Sequence, residues 1–90
     1  MPLSPAQCRA ARALLDWSPA QLAQRAGVAQ ALLEAFEDEQ AMPTDRSIDR
    51  IRLVLERAGI ELLDGAAPGV RLHPRPAVLS LEELNASNDE

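Results

Sequence analysis

The chain has 90 residues and a net charge of −5, with 47% hydrophobic but only 2% aromatic residues. This length gives one small domain, and a core built largely from leucine and alanine favours helices. A single cysteine excludes an internal disulfide, and Cys8 with His73 supplies too few ligands for a metal site. No leader or membrane-length apolar run is found, so we expect a cytoplasmic protein with no membrane partner.

A capping box opens the first predicted helix, residues 5–15. Ser4 can cap this helix, proline suits its first position, and Gln7 can close the box by bonding back to the cap. Cys8 is expected to be a small buried side chain rather than a reactive thiol. It begins an apolar stripe that continues with Ala11, Leu14 and Leu15.

The same start signal recurs at Ser18-Pro19-Ala20-Gln21 and opens a second predicted helix, residues 18–26. Gly27 supplies the left-handed backbone that ends this helix and permits a sharp turn. A third helix is predicted for residues 29–38, with Leu33 and Phe36 on its apolar side. Two helices joined through a glycine turn form a helix-turn-helix, which usually places its second helix in the major groove of DNA.

A fourth helix is predicted for residues 44–58, with Thr44 at its start and an acid in its first turn. Two short apolar runs around a glycine- and proline-containing turn then indicate a small hairpin or an extended arm. The helix-turn-helix domain is expected to span residues 4–63, and residues 64–90 to form this arm and a partly disordered acidic tail. We expect Trp17 to plug the space between helices, and the core to consist of Leu14, Leu22, Leu33, Phe36, Ile48, Ile51 and Leu55.

Three sequence blocks follow one another between Pro5 and Leu72: QCRAARALL-x-W, LAQRAGV and GIELLDG-x-x-PGVRL. In this order they resemble small single-domain bacterial members of the lambda-repressor-like (Cro/XRE-type) helix-turn-helix family. The resemblance implies an all-α fold of about four helices, with helix 3 reading the major groove. It also implies a buried ion pair between helices 1 and 3, here Arg12 and Glu37. Losing one partner would leave a buried charge unpaired, at a cost on the order of several kcal/mol.

The resemblance also implies which residues contact DNA. The base-facing positions of the family fall on Gln30, Ala31, Glu34 and Ala35. Of these, Gln30 could pair with an adenine edge, and Glu34 could accept a hydrogen bond from cytosine N4. The expected contacts to the DNA backbone, at the starts of helices 2 and 4, are Ser18, Gln21, Arg46 and Ser47.

The distribution of charge and two departures from the family pattern keep a second hypothesis open. All nine basic residues are arginine and none lies between Arg25 and Arg46, so helix 3 carries acid without base. Affinity for DNA comes largely from basic side chains that neutralise phosphates. Ala29 stands where a hydroxyl residue usually caps helix 3, and Pro19 has no N–H to offer a phosphate.

Two functions are therefore considered. In the first, the chain is a sequence-specific transcriptional regulator that binds double-stranded DNA, as a homodimer or with a protein partner, on the bacterial nucleoid. In the second, the scaffold is a protein-binding module, such as an antitoxin or anti-regulator, whose helix 3 meets a protein through Ala31, Leu32, Ala35 and its acids. No enzyme activity, cofactor or metal is expected, because no nucleophile–base pair or phosphate loop is readable.

The expectation of a dimer has a separate motivation. Helix-turn-helix domains bind two half-sites about one DNA turn apart, a geometry that a dimer provides. The chain after Gly59 also carries more apolar residues than one short hairpin can bury on itself. These residues are Ile60, Leu62, Leu63, Val70 and Leu72.

Overall fold

The structure is a computed structural model and describes residues 3–73. Helices come first along this part of the chain: α1 (Pro5–Leu15), α2 (Pro19–Ala26), α3 (Gln30–Glu37) and α4 (Asp45–Arg57). Two strands follow, β1 (Ile60–Leu63) and β2 (Gly69–Leu72). The described part is mainly helical, as predicted, and each helix begins and ends within one residue of its predicted bounds. Of the arm and acidic tail expected for residues 64–90, residues 74–90 lie outside the described residues.

Local signals explain where the helices begin and end. The N-cap serines of α1 and α2, Ser4 and Ser18, each accept a hydrogen bond from the backbone N–H three residues on. The glutamine at that third position accepts in return from the serine N–H, which completes a capping box in both helices. Gly27 ends α2 with φ at 71°, in the left-handed region that glycine adopts without strain. Ala29 precedes α3 and makes no side-chain capping bond, as its sequence predicts.

The core lies where the helices and the hairpin meet. Helix α2 packs against both α3 and α4, α1 packs against α3 and β2, and β1 packs against α4. Trp17 is only partly buried and packs against the edge of this core. Six of the seven predicted core residues are confirmed as buried: Leu22, Leu33, Phe36, Ile48, Ile51 and Leu55.

The seventh, Leu14, was wrongly expected in the core, since 45% of its surface is exposed. Gln7 lies two turns earlier on the same side of α1 and keeps only 6% exposure. The hairpin covers Gln7, whose Nε2 donates to the carbonyl oxygens of Leu63 at 3.0 Å and Gly69 at 3.2 Å. The hairpin therefore covers only the first half of α1, and Leu14 lies beyond the covered part.

Strands β1 and β2 form an antiparallel hairpin that pairs Ile60 with Leu72 at its open end. Ile60 is 3% exposed and belongs to the core, and Leu62 and Val70 pack against that core. Leu72 keeps 37% of its surface exposed. Most of the apolar surface that motivated the dimer is therefore covered within a single chain.

Candidate nucleic-acid interface

The four residues expected to face bases lie along the outer side of α3. Gln30, Ala31 and Glu34 are exposed, and Ala35 is half-buried. The Nε2 of Gln30 donates a hydrogen bond to Oε2 of Glu34 at 2.8 Å, one helical turn later. Pairs of this kind stabilise a helix by only about 0.2–0.5 kcal/mol. Gln30 can therefore exchange this bond for another partner at little cost.

Ser18 and Gln21, expected to contact the DNA backbone, form the capping box of α2. The Oγ of Ser18 accepts from the Gln21 backbone N–H at 3.1 Å, and Oε1 of Gln21 accepts from the Ser18 N–H at 2.8 Å. The remaining amide group of Gln21, Nε2, makes no hydrogen bond to another residue within 3–73. That group is a donor available to a phosphate oxygen.

Arg46 and Ser47 lie in the first turn of α4, which Thr44 caps. The Oγ1 of Thr44 accepts from the Ser47 backbone N–H and donates to Ser47 Oγ, both at 3.2 Å. Arg46 is exposed and makes no salt bridge with any residue that the structure describes. Asp45 precedes it in the same turn. The start of α4 thus offers a phosphate one arginine, next to an acid that reduces the local positive potential.

The three sets of predicted DNA contacts lie on α2, α3 and α4. Because α2 packs against both other helices, the structure brings these three elements together. Within residues 3–73, no hydrogen bond links a predicted contact residue of one helix to a predicted contact residue of another. The positions of these three sets relative to one another are therefore set by the packing of the helices rather than by direct polar contacts.

Acidic side chains dominate the second half of α3 and the turn that follows. Glu34, Asp38 and Glu39 are exposed, and the last turn of the helix contains no basic residue. The carboxyl end of a helix already carries the negative end of its dipole, so these acids add to the same potential. This surface opposes phosphate groups and attracts basic ones.

Arg12 and Glu37, the pair implied by the family resemblance, form a bidentate salt bridge. Nε of Arg12 donates to Oε2 of Glu37 at 2.8 Å, and Nη2 donates to Oε1 at 2.7 Å. The side chains of Arg12 and Glu37 keep 18% and 5% of their surface exposed. Nη1 of Arg12 also donates to the carbonyl oxygen of Trp17 at 3.0 Å. One guanidinium thus joins α1, the end of α3 and the corner before α2.

Two more side chains of α1 donate hydrogen bonds to Glu37. The Sγ of Cys8 donates to Oε2 at 3.0 Å, and Nη1 of Arg9 donates to the backbone carbonyl oxygen. Burial acts to raise the pKa of Glu37, but the hydrogen bonds from Arg12 and Cys8 and the charge of Arg12 outweigh it and lower that pKa. Burial and the bond to Glu37 raise the pKa of Cys8. Cys8 is buried as predicted, but its polar bond had no sequence signal, because its partner lies 29 residues away.

An open pocket that sequence analysis did not identify lies between the α1–α2 corner and α4. The guanidinium carbon of Arg25 stands 4.5 Å from the centre of the Trp17 ring, a cation–π distance. The pocket has a volume of about 260 Å³ and is lined by Trp17, Arg25, Val54, Arg57 and Ala58. No local sequence pattern could reveal it, because its residues come from three separate segments.

A metal site and a membrane-spanning helix are both absent from the residues that the structure describes. Across residues 3–73, no three His, Cys, Asp or Glu side chains gather closely enough to hold a metal ion. No helix there is both long enough and apolar enough to span a membrane. A scan against known protein families finds none that matches this chain, and a search of curated proteins finds no match either.

Proposed function

We propose that the chain is a sequence-specific DNA-binding transcriptional regulator of the lambda-repressor-like helix-turn-helix type. The observation that carries this proposal is the pairing of α2 with α3. The two eight-residue helices pack against each other across a turn of three residues that begins with Gly27 in the left-handed conformation. A short helix exposed on one side in this way suits the major groove of B-DNA, which is about 12 Å wide.

In the proposed complex, α3 lies in the major groove and Gln30, near its start, reads a base edge. Its amide can form two hydrogen bonds with adenine, which discriminate by about 1–3 kcal/mol against a wrong base. Arg46 and the free amide of Gln21 hold phosphates, and such contacts position the protein without reading sequence. The Arg12–Glu37 contact supports this role by holding α3 against α1.

A homodimer completes the proposal. Two copies bind two half-sites whose centres lie roughly 34–36 Å apart, one turn of the double helix. A dimer also compensates for the weak affinity of one acidic domain, since linking two binding events raises the overall affinity without new contacts. Leu72, exposed at the end of β2, is the apolar residue of the hairpin most available to a second copy.

A protein-binding module is the second candidate function, favoured by the acids of α3. Glu34, Asp38 and Glu39 are exposed at the end of α3 and in the turn that follows, and neither segment contains a basic residue. Half-buried Leu32 and Ala35 lie on the same helix and add apolar surface. A basic protein fits this combination better than DNA does, in the manner of an antitoxin or anti-regulator.

Fluorescence anisotropy titrations against genomic DNA fragments at two salt concentrations test the regulator. Gln30→Ala is expected to relax preference at one base position by about 1–3 kcal/mol. Arg46→Ala should weaken binding to all sequences alike and lower the salt slope by about one. Glu34→Gln should strengthen non-specific binding, because it removes an anion from beside the phosphates. Arg71→Ala, at an exposed arginine of the hairpin, is the matched control and should change neither the base preference nor the salt slope.

The same variants separate the two candidate functions. A protein-binding module predicts little DNA binding and no effect of Gln30 or Arg46 on it. It also predicts that Leu32→Asp abolishes capture of a partner in a pull-down from lysate. Absence of a DNA complex for the wild type at low salt, together with loss of a partner in Leu32→Asp, would refute the regulator.

A further inference from the structure

Three exposed arginines follow one line along α4. Arg46, Arg50 and Arg57 are spaced by four and seven residues, which returns each to the same side of the helix. Leu53 lies on this line between them and keeps 46% of its surface exposed. None of the three arginines makes a salt bridge or a side-chain hydrogen bond with a residue from 3 to 73. In a chain of net charge −5, none of these three guanidinium groups has a bonded carboxylate partner among the described residues.

The C-terminal end of this line opens into the pocket beside Trp17. Arg57 lines that pocket with Arg25, and the apolar side chains of Trp17, Val54 and Ala58 complete it. Apolar side chains beside two guanidinium groups fit a segment that carries leucine next to carboxylates. The leucine removes apolar surface from water, and the carboxylates accept charge-assisted hydrogen bonds from arginine.

The chain itself continues from this place. The backbone N–H of His73 donates to the carbonyl oxygen of Gly59 at 2.9 Å, and Gly59 directly follows Ala58 of the pocket. The sequence from Pro74 onward is PRPAVLSLEELNASNDE, with four acidic residues, one arginine and the run Leu81-Glu82-Glu83-Leu84. The stretch from His73 to Leu81 can span up to about 26 Å. That reach exceeds the length of α4, which is roughly 20 Å.

We propose that the segment Leu81-Glu82-Glu83-Leu84 docks in the pocket of its own chain. Its leucines cover the apolar side chains of the pocket, and its glutamates pair with Arg25 and Arg57. A short tether gives such a segment an effective concentration of about millimolar, so a weak contact is sufficient. The docking does not depend on DNA binding. It supplies the counter-charge for the basic end of α4.

Trp17 is the single tryptophan of the chain, so its fluorescence reports on the pocket directly. In the full chain, Glu82→Gln with Glu83→Gln is expected to raise the acrylamide quenching constant of Trp17 by about twofold. This is the change expected if the segment shields Trp17 in about half of the wild-type molecules and in none of the variant. Asp89→Asn with Glu90→Asn removes the same charge further along the tail and should leave quenching unchanged. Circular dichroism of each variant verifies that the helices are retained.

Arg57→Gln tests the same contact from the side of the pocket. It should also expose Trp17, and combining it with the glutamate pair should add nothing further, because both changes break one interaction. Equal quenching in the wild type and the glutamate variant would overturn the proposal, as would full additivity of the two changes. Protection of Trp17 that declines on dilution identifies a second copy as the occupant and overturns the intramolecular contact.

Discussion

The thiol of Cys8 and the guanidinium of Arg12 share one acceptor, Oε2 of Glu37, at 3.0 Å and 2.8 Å. The two donors stand one turn apart on α1, and the acceptor stands at the end of α3. Glu37 is only 4% exposed, so water has little access to take the place of either donor. The charge of the carboxylate and the protonation of the thiol therefore depend on the same packing.

The stability of the protein should fall at acid pH through Glu37. Its pKa is lowered in the fold, so the carboxylate contributes stability that is fully present above the unfolded value of about 4.3. That stability is lost as the pH falls through the lower folded value. Urea unfolding of the wild type across this range should show the loss.

A pair of substitutions isolates this carboxylate. Glu37→Gln should cost roughly 3 kcal/mol at neutral pH, because it leaves Arg12 without its counter-charge, and should flatten the pH dependence. Glu56→Gln, from the exposed pair with Arg52 at 3.1 Å, is the control and should cost about 0.3–0.5 kcal/mol. Parallel pH curves for the wild type and Glu37→Gln would show that another group is responsible.

Phe36→Ala should destabilise the protein by about 3–5 kcal/mol, because the ring is fully buried and its removal leaves a cavity. Leu14→Ala is the control, since that leucine is exposed, and its cost should stay below about 1 kcal/mol. Both values come from urea unfolding followed by circular dichroism. A loss of unfolding free energy smaller than about half a kcal/mol for Phe36→Ala would mean that Phe36 does not lie in a packed core.

Ala29→Ser should stabilise the protein by about 1 kcal/mol. Ala29 has φ −69° and ψ 136°, close to the backbone of Ser18, which caps α2. A serine hydroxyl there can accept a hydrogen bond from the first turn of α3. Ala31→Ser, at an exposed position inside the same helix, lacks this partner and should give no stabilisation. Thermal unfolding measures both, and equal shifts would argue against a capping effect.

Gln7→Met should cost about 1–3 kcal/mol. It preserves length, but it leaves two hairpin carbonyl groups without their donor and removes the Gln7 oxygen that accepts from the Ser4 N–H in the capping box. Amide hydrogen exchange should accelerate in β1 and β2 more than in α2. Gln24→Met, at an exposed position of α2, is the control for added apolar surface. Unchanged exchange in the hairpin would mean that Gln7 does not hold it.

The helices could be predicted because their end signals are local. Each capping box lies within four residues, and Gly27 marks the end of α2 by its own backbone preference. Helical spacing also identifies the buried side of α3 and α4. It failed for Leu14 because spacing gives the side of a helix and not the length over which that side is covered. The cover of α1 depends on Gln7 contacts made 56 and 62 residues away.

The candidate site was accessible to sequence reasoning only in part. Spacing puts Gln30 and Glu34 one turn apart, but their bond at 2.8 Å depends on side-chain rotamers that no pattern specifies. The pocket of Trp17 and Arg25 has no local signal, because packing of α2 on α4 creates it. Pairwise contacts of this kind become visible only when the helices are assembled.

The bond between Gln7 and the hairpin also sets an order of events during protein synthesis. Gln7 is made 56 residues before Leu63 and 62 residues before Gly69. At translation rates of about 5–20 residues per second, roughly 3–12 seconds separate the synthesis of Gln7 from the synthesis of Gly69, its last acceptor. During that interval the nascent helix carries an amide whose final partners have not yet been polymerised. Closure of this domain therefore waits until β2 has been synthesised and has left the ribosome.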